Sequence, residues 1–87
     1  MKKVQLFYMP GCPYCRAAEN WIRDVQAEHP ELGAVEIERI DEIRNRALAD
    51  RYDYWYVPTF YVEGHKEHEG ACSKEIVERV LRLALTD

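Results

Sequence analysis

The hydrophobic and polar positions of the first third of the chain predict a buried strand followed by an amphipathic helix. A short apolar run from Val4 to Tyr8 predicts a buried strand over residues 3–8. The next apolar residues recur every three or four positions, which predicts a helix over about residues 13–28. Pro30 and Gly33 then end this helix. The positions predicted to face the sheet are Ala18, Ile22 and Val25.

A period of two in the next segment predicts a second, half-exposed strand. Val35, Ile37 and Arg39 alternate there with two glutamates. Asp41 follows as the predicted N-cap of a short helix that reaches about Arg51. The residues expected to point inward from this helix are Ile43, Ala47 and Leu48.

The last third of the chain predicts a β-hairpin and a final helix. Residues 60–62 form a strand, and Glu63-Gly64 is a tight turn with glycine in its second place. Residues 65–69 are polar throughout, which is typical of a charge-protected edge strand. The final helix has Cys72 or Ser73 as its N-cap and ends near Ala84. Its two apolar rows are Ile76, Val80 and Ala84, and Val77, Leu81 and Leu85.

The order strand, helix, strand, helix, strand, strand, helix predicts an α/β fold. A strand–helix–strand unit requires a parallel pair with a right-handed crossover, and the hairpin adds two antiparallel strands. We therefore expect one domain over residues 1–87, with a four-stranded mixed sheet and three helices. No repeat or linker divides the chain.

Composition narrows the classes of function. The 87 residues carry a net charge of −4, which argues against a nucleic-acid or anionic-membrane partner. The start resembles a strand and lacks the features of a signal peptide, and no apolar run is long enough to span a bilayer. We therefore expect a cytoplasmic monomer. In that compartment three cysteines indicate redox or metal chemistry instead of a disulfide framework.

Two of these cysteines lie two residues apart where the first strand turns into the first helix. Pro13 suits the first helical position, so Cys12 falls at the N-cap and Cys15 inside the first turn. The free N–H groups and the helix dipole favour a thiolate at Cys12, and the thiolate is the nucleophile of disulfide exchange. We expect Cys12 to attack and Cys15 to resolve. The charge of Arg16 either lowers the pKa of Cys12 or is simply solvated.

Three segments in this order resemble those of glutaredoxins, over nearly the whole chain. They are Cys12-Pro13-Tyr14-Cys15, Val57-Pro58 before a late strand, and Gly70-Ala71-Cys72-Ser73 before the last helix. The resemblance implies a thioredoxin-like fold and a cis Val57-Pro58 bond that faces the cysteines. It also implies a substrate-binding role for six residues: Pro13, Tyr14, Val57, Pro58, Cys72 and Ser73.

The chain departs from the glutaredoxin pattern at several positions. Met9 stands where glutaredoxins usually carry a lysine or arginine that meets a glutathione carboxylate. Tyr56 replaces the usual threonine, Ala71 a glycine and Ser73 an acidic residue. These departures predict better activity on protein disulfides than on glutathione mixed disulfides.

Several residues have two interpretations. Cys12 and Cys15 could form half of a zinc site completed by Cys72 or by His65 and His68, although histidines three apart on a strand point to opposite faces. Cys72 is either a small capping residue or a reactive thiol. The aromatic residues around Trp55 either face substrate or pack in the core, so we do not assign them to the site.

The sequence thus predicts a dithiol–disulfide oxidoreductase that acts on protein disulfides and needs no metal or organic cofactor. Glutathione, as a co-substrate, or a flavoprotein reductase would restore the reduced form. The alternative is a non-catalytic metal or iron–sulfur carrier that uses the same cysteine pair.

Overall fold

The sheet is built around the first strand, which pairs on both sides. The structure is a computed structural model that describes residues 1–86. The elements are β1 (Val4–Tyr8), α1 (Pro13–Glu28), a 3₁₀ turn (Pro30–Ala34), β2 (Ile37–Asp41), α2 (Arg46–Ala49), β3 (Thr59–Val62), β4 (His65–Glu69) and α3 (Lys74–Ala84). The strand order is β2-β1-β3-β4, with β1 and β2 parallel and the other two pairs antiparallel. The predicted α/β fold, with its mixed sheet and three helices, is confirmed.

The alternation of β1 divides the apolar side chains between the two faces of the sheet. Val4 and Leu6 point to the face covered by α1 and α3, where the larger core lies. Phe7 points to the other face and packs with Ile40, Ala49 and Tyr61. The predicted inward positions of α1 are all buried: Ala18, Ile22 and Val25.

Two predictions for the middle of the chain were wrong. The Asp41 carboxylate does accept hydrogen bonds from the N–H groups of Ile43 and Arg44, as an N-cap would, at 2.9 and 3.2 Å. This turn does not continue into a long helix, because Asp41 still belongs to β2 and α2 begins only at Arg46. Ile43 is 58% exposed and Ala47 is exposed, whereas Leu48 packs inward as predicted.

The second strand is also displaced from its predicted place. It runs over Ile37–Asp41, and Val35 is buried just before it. Its buried residues are Ile40 and Asp41, whereas Arg39 is exposed. The parallel register pairs Leu6 with Arg39. This end of β2 therefore brings a cation towards the loop that follows β1.

The hairpin and the last helix follow the sequence more closely. Glu63 and Gly64 both have positive φ, 50° and 79°, as a tight hairpin turn requires, and β4 is an edge strand. Ser73 is the N-cap of α3, since its hydroxyl accepts the N–H of Ile76 at 3.2 Å. Leu85, predicted to continue an apolar row, is exposed beyond the end of the helix. The buried positions of α3 are Val77, Val80, Leu81 and Ala84.

None of the helices described over residues 1–86 is long and apolar enough to cross a membrane.

Candidate active site

The loop between β1 and α1 brings both thiols to the start of a helix. Gly11 has a φ of 81°, which an L side chain rarely adopts, and it turns the chain towards α1. The N–H of Cys12 donates to the carbonyl of Met9 at 3.3 Å, and Arg16 donates to the carbonyl of Cys12 at 3.0 Å. Cys12 is thus the N-cap, with Pro13 directly after it. The predicted placement of the cysteine pair is confirmed, and the two residues lie close together.

The surroundings of Cys12 favour its thiolate. Its desolvation alone would raise the pKa of this thiol, but opposing interactions outweigh that effect and hold the pKa below its ordinary 9.0. Hydrogen bonds from the backbone and thiol of Cys15 contribute most, followed by the backbone of Tyr14 and the charge of Arg16. The charge of Arg16 therefore lowers the pKa of Cys12, which is the first of the two interpretations given for this residue. Cys12 keeps 9% of its surface exposed, which leaves a route for attack.

Cys15 has the opposite environment. Burial raises the pKa of its thiol to about 12, against a lowering backbone hydrogen bond from Met9. The neighbouring Cys12 and the negative charge of Glu42 raise it further. Cys15 is 5% exposed. The two thiols are therefore unequal in the way that an attacking and a resolving cysteine require.

A cleft of about 260 Å³ opens beside the thiols. Arg39 and Glu19 form one of its walls and pair through two hydrogen bonds of 2.7 and 2.9 Å. Sequence reasoning did not assign either residue to the site. Glu19 could have been found from its position one helical turn after Cys15. Arg39 had no local signal, because only the β1–β2 register places it there. The remaining lining residues are Tyr8, Met9, Pro10, Gly11, Cys12, Cys15 and Arg16.

The residues predicted to bind substrate lie outside the lining of this cleft. Pro13 and Tyr14 are exposed on the first turn of α1, and 62% of Tyr14 is accessible. The Val57-Pro58 bond is cis, as the resemblance implied, and Pro58 is buried. The antiparallel register pairs Phe7 with Thr59, so Pro58 lies at the same end of the sheet as the loop that carries the cysteines. Pro58 therefore shares one end of the sheet with the cysteines but does not line the cleft beside them.

The third cysteine has a structural environment. Cys72 immediately precedes the Ser73 cap and packs, half-buried, against the larger core. Burial raises the pKa of Cys72 to about 11. Ser73 caps α3, so the interpretation of Cys72 as the capping residue was wrong. Its environment also disfavours the reactive-thiol interpretation.

The aromatic group before the cis bond divides in two. Tyr54 packs against the smaller core, with its ring centroid 5.0 Å from that of Phe7. Trp55 and Tyr56, by contrast, are 86% and 70% exposed. Core packing therefore explains Tyr54 and leaves the other two side chains without a structural role.

The structure offers no support for the zinc interpretation. Within residues 1–86, no three His, Cys, Asp or Glu side chains come together in a way that could hold a metal ion. His65 is exposed, and Nε2 of His68 lies 2.8 Å from the carbonyl oxygen of Ala71. On the edge strand, one histidine is therefore in solvent and the other lies against a backbone carbonyl.

Comparison with known sequences gives matches that cover most of the chain. The family model for the glutaredoxin-like domain (DUF836) matches residues 3–86. A thioredoxin from Methanocaldococcus jannaschii is 36% identical over 83 residues, which cover 95% of each chain. A probable thioredoxin from Methanothermobacter thermautotrophicus is 29% identical over 72 residues, covering 83% of this chain and 82% of that relative.

Comparison with solved structures gives the same fold. An uncharacterised thioredoxin-like protein from Clostridium perfringens superposes with a TM-score of 0.70 at 30% identity, covering 97% of this chain and 71% of the other. A mutant thioredoxin from Halobacterium salinarum also superposes with a TM-score of 0.70, at 22% identity, and covers 99% and 76% of the two chains.

Proposed function

The chain belongs to the glutaredoxin-like family of thioredoxin-fold redox proteins, and from that premise we propose that it is a dithiol oxidoreductase acting on protein disulfides. The observation that carries this proposal is the inequality of the two thiols. The pKa of Cys12 is lowered by hydrogen bonds and charge, whereas that of Cys15 is raised by burial. A pair in which one thiol, 9% exposed, has a lowered pKa and the other, 5% exposed, has a raised pKa is suited to two successive exchange steps.

In the first step, the Cys12 thiolate attacks one sulfur of the substrate disulfide. A bond forms between Cys12 and that sulfur, and the substrate S–S bond breaks. The second substrate sulfur leaves as a thiolate and takes a proton from solvent. The cleft and the residual exposure of Cys12 provide the approach for this attack.

In the second step, Cys15 loses its proton to solvent and attacks the Cys12 sulfur of the mixed disulfide. The Cys12–Cys15 bond forms, the bond to the substrate breaks, and the substrate sulfur leaves as a thiolate that takes a proton from solvent. The substrate has then gained two electrons and the protein holds an internal disulfide. Two molecules of glutathione, or a flavoprotein reductase, supply two electrons to restore the dithiol. We propose that this cycle runs in a cytoplasmic monomer.

The cleft is better suited to protein disulfides than to glutathione. Glutathione carries two carboxylates, for which charge-assisted hydrogen bonds would be the strong contacts. Met9 provides no charge at the cleft, and the guanidinium of Arg39 is already bound by Glu19. Among the described residues of the lining, this leaves the single cation Arg16 for two carboxylates. The relatives named thioredoxin support the same preference.

Turnover assays on two substrates test the proposal. Wild type should reduce the disulfides of insulin with dithiothreitol as reductant, and should reduce a glutathione mixed disulfide more slowly. Cys12→Ser should lose both activities, while Cys72→Ser serves as the matched cysteine control and should keep them. If the purified protein carries stoichiometric zinc or an iron–sulfur chromophore and reduces neither substrate, the proposal is wrong and the carrier alternative replaces it.

A further inference from the structure

Trp55 and Tyr56, together called the aromatic pair, are large side chains that the fold leaves in solvent. They are 86% and 70% exposed. Their neighbours Tyr52 and Tyr54 turn inward and place their ring centroids 4.7 and 5.0 Å from that of Phe7. Adjacent exposed aromatic residues are typical of a contact surface.

One carboxylate fixes the backbone of the aromatic pair. Oε2 of Glu69, on the edge strand β4, accepts the N–H groups of Trp55 and Tyr56 at 2.5 and 3.0 Å. Its other oxygen accepts a hydrogen bond from the Lys66 ammonium at 2.8 Å. The Lys66 ammonium and these two N–H groups lower the pKa of Glu69 to about 2, so the carboxylate is charged at neutral pH.

Further hydrogen bonds fix the segment that follows. The hydroxyl of Thr59 donates to the carbonyl of Tyr56 at 2.5 Å, and the N–H of Gly70 donates to the carbonyl of Pro58 at 2.7 Å. The aromatic pair is therefore attached to β4 immediately before the Val57-Pro58 bond. This is the end of the sheet at which the loop from β1 delivers Cys12.

We propose that Glu69 is a positioning residue that holds the aromatic pair as a docking surface for the polypeptide beside the disulfide of a protein substrate. The inference rests on the proposed function and adds a substrate contact to it. A substrate disulfide must reach Cys12, and the chain flanking that disulfide extends over the neighbouring surface. Because the aromatic pair is continuous with that end of the sheet, it is positioned to meet the flanking chain. A small disulfide has no atoms to place there.

The test compares kcat/KM for insulin with kcat/KM for bis(2-hydroxyethyl) disulfide. In Trp55→Ala and Glu69→Ala, the ratio of the two values should fall about tenfold, a typical effect of losing an aromatic contact, and the loss should appear in KM for insulin. Glu69→Gln should be intermediate, because its amide oxygen still accepts an N–H but carries no charge. Glu67→Ala is the matched control on the same strand, where its carboxylate pairs with Arg79 at 3.6 Å, and should leave the ratio unchanged.

A second measurement does not depend on the stability of the Glu69 variants. The chain has two tryptophans, so Trp21→Phe makes Trp55 the only one. In the Cys15→Ser background, the mixed disulfide of Cys12 is trapped either with a cysteine-containing decapeptide or with 2-mercaptoethanol. The emission of Trp55 should shift to shorter wavelength with the peptide alone.

The outcomes separate this inference from the function on which it rests. If wild type reduces both substrates but the ratio and the Trp55 emission do not change, the inference is overturned and the proposed function stands. A wild type that reduces neither substrate overturns both. A dimer in sedimentation that Trp55→Ala dissociates would assign the aromatic pair to a second copy of the chain, and would also overturn the inference.

Discussion

The guanidinium of Arg39 and the carboxylate of Glu19 form two hydrogen bonds, 2.7 and 2.9 Å long, in the wall of the cleft beside the thiols. The hydrogen bond to Glu19 raises the pKa of Arg39. Both side chains are about two-fifths exposed, at 44% and 40%, so the pair adds little to stability. Its consequence is electrostatic. The charge of Arg39 is already paired with the carboxylate of Glu19 before any substrate carboxylate enters the cleft.

Met9→Lys should therefore raise activity on a glutathione mixed disulfide. A lysine at this 36% exposed position would add an unmatched cation to the cleft. A hydrogen bond to a charged group contributes about 1.5–3 kcal/mol, so kcat/KM should rise on the order of tenfold to a hundredfold. Met9→Gln, of similar length but uncharged, is the control. No gain in Met9→Lys over this control would show that another residue already meets the glutathione carboxylates.

Alkylation should separate the two thiols by pH. The thiolate of Cys12 forms as the pH rises through a pKa below 9.0, whereas Cys15 stays protonated until near pH 12. Iodoacetamide at pH 7 should thus label Cys12 first, with Cys15 and Cys72 following only at strongly alkaline pH. Mass spectrometry of peptides after timed quenching measures the order. If Cys15 reacts first, the assigned roles of the pair are wrong.

Ser73→Ala should destabilise the protein without changing the thiols. The variant loses the hydrogen bond from the Ile76 N–H to the Ser73 hydroxyl at the start of α3. Loss of such a cap costs about 1 kcal/mol, which corresponds to a fall in Tm of about 4–8 °C for a domain of this size. Ser73→Asp keeps a capping oxygen and should stay close to wild type. Equal melting temperatures for Ser73→Ala and wild type would show that the hydrogen bond of the cap does not stabilise the protein.

The features that the sequence predicted well are those set by local chemistry. The place of Cys12 before Pro13, the Glu63-Gly64 turn and the Ser73 cap each depend on a few consecutive residues. The cis bond at Val57-Pro58 came only from the resemblance, because no local rule selects it.

The features that were missed depend on contacts between distant segments. Arg39 reaches Glu19 only through the β1–β2 register, and Glu69 holds the Trp55 backbone across 14 residues of sequence. The α2 error has a different origin, because Asp41 serves both as the last residue of β2 and as the acceptor of the turn after it. Periodicity cannot reveal such a double role, and the inward positions of α2 shift as a result.

Glu42→Gln should accelerate the second chemical step, in which Cys15 releases the substrate. The Glu42 carboxylate, which accepts a hydrogen bond from the Tyr54 hydroxyl at 2.8 Å, contributes to the raised pKa of Cys15. Removing its charge should lower that pKa. Each unit of lowering gives about ten times more thiolate at neutral pH but reduces its nucleophilicity only about threefold. The net effect is a faster release.

Single-turnover decay of the mixed disulfide at pH 7 measures this step, with Glu38→Gln as the control for the same change of charge on β2. Glu38 is exposed and pairs with Gln5, so it should leave the rate unchanged. Tyr54→Phe removes the hydrogen bond but keeps the carboxylate charge, and should not reproduce the acceleration. The sign of the Glu42→Gln effect decides between two roles. A slower release would show that the carboxylate accepts the proton of Cys15. A base assists this step and a negative charge alone hinders it, so the two roles predict opposite effects when the carboxylate is removed.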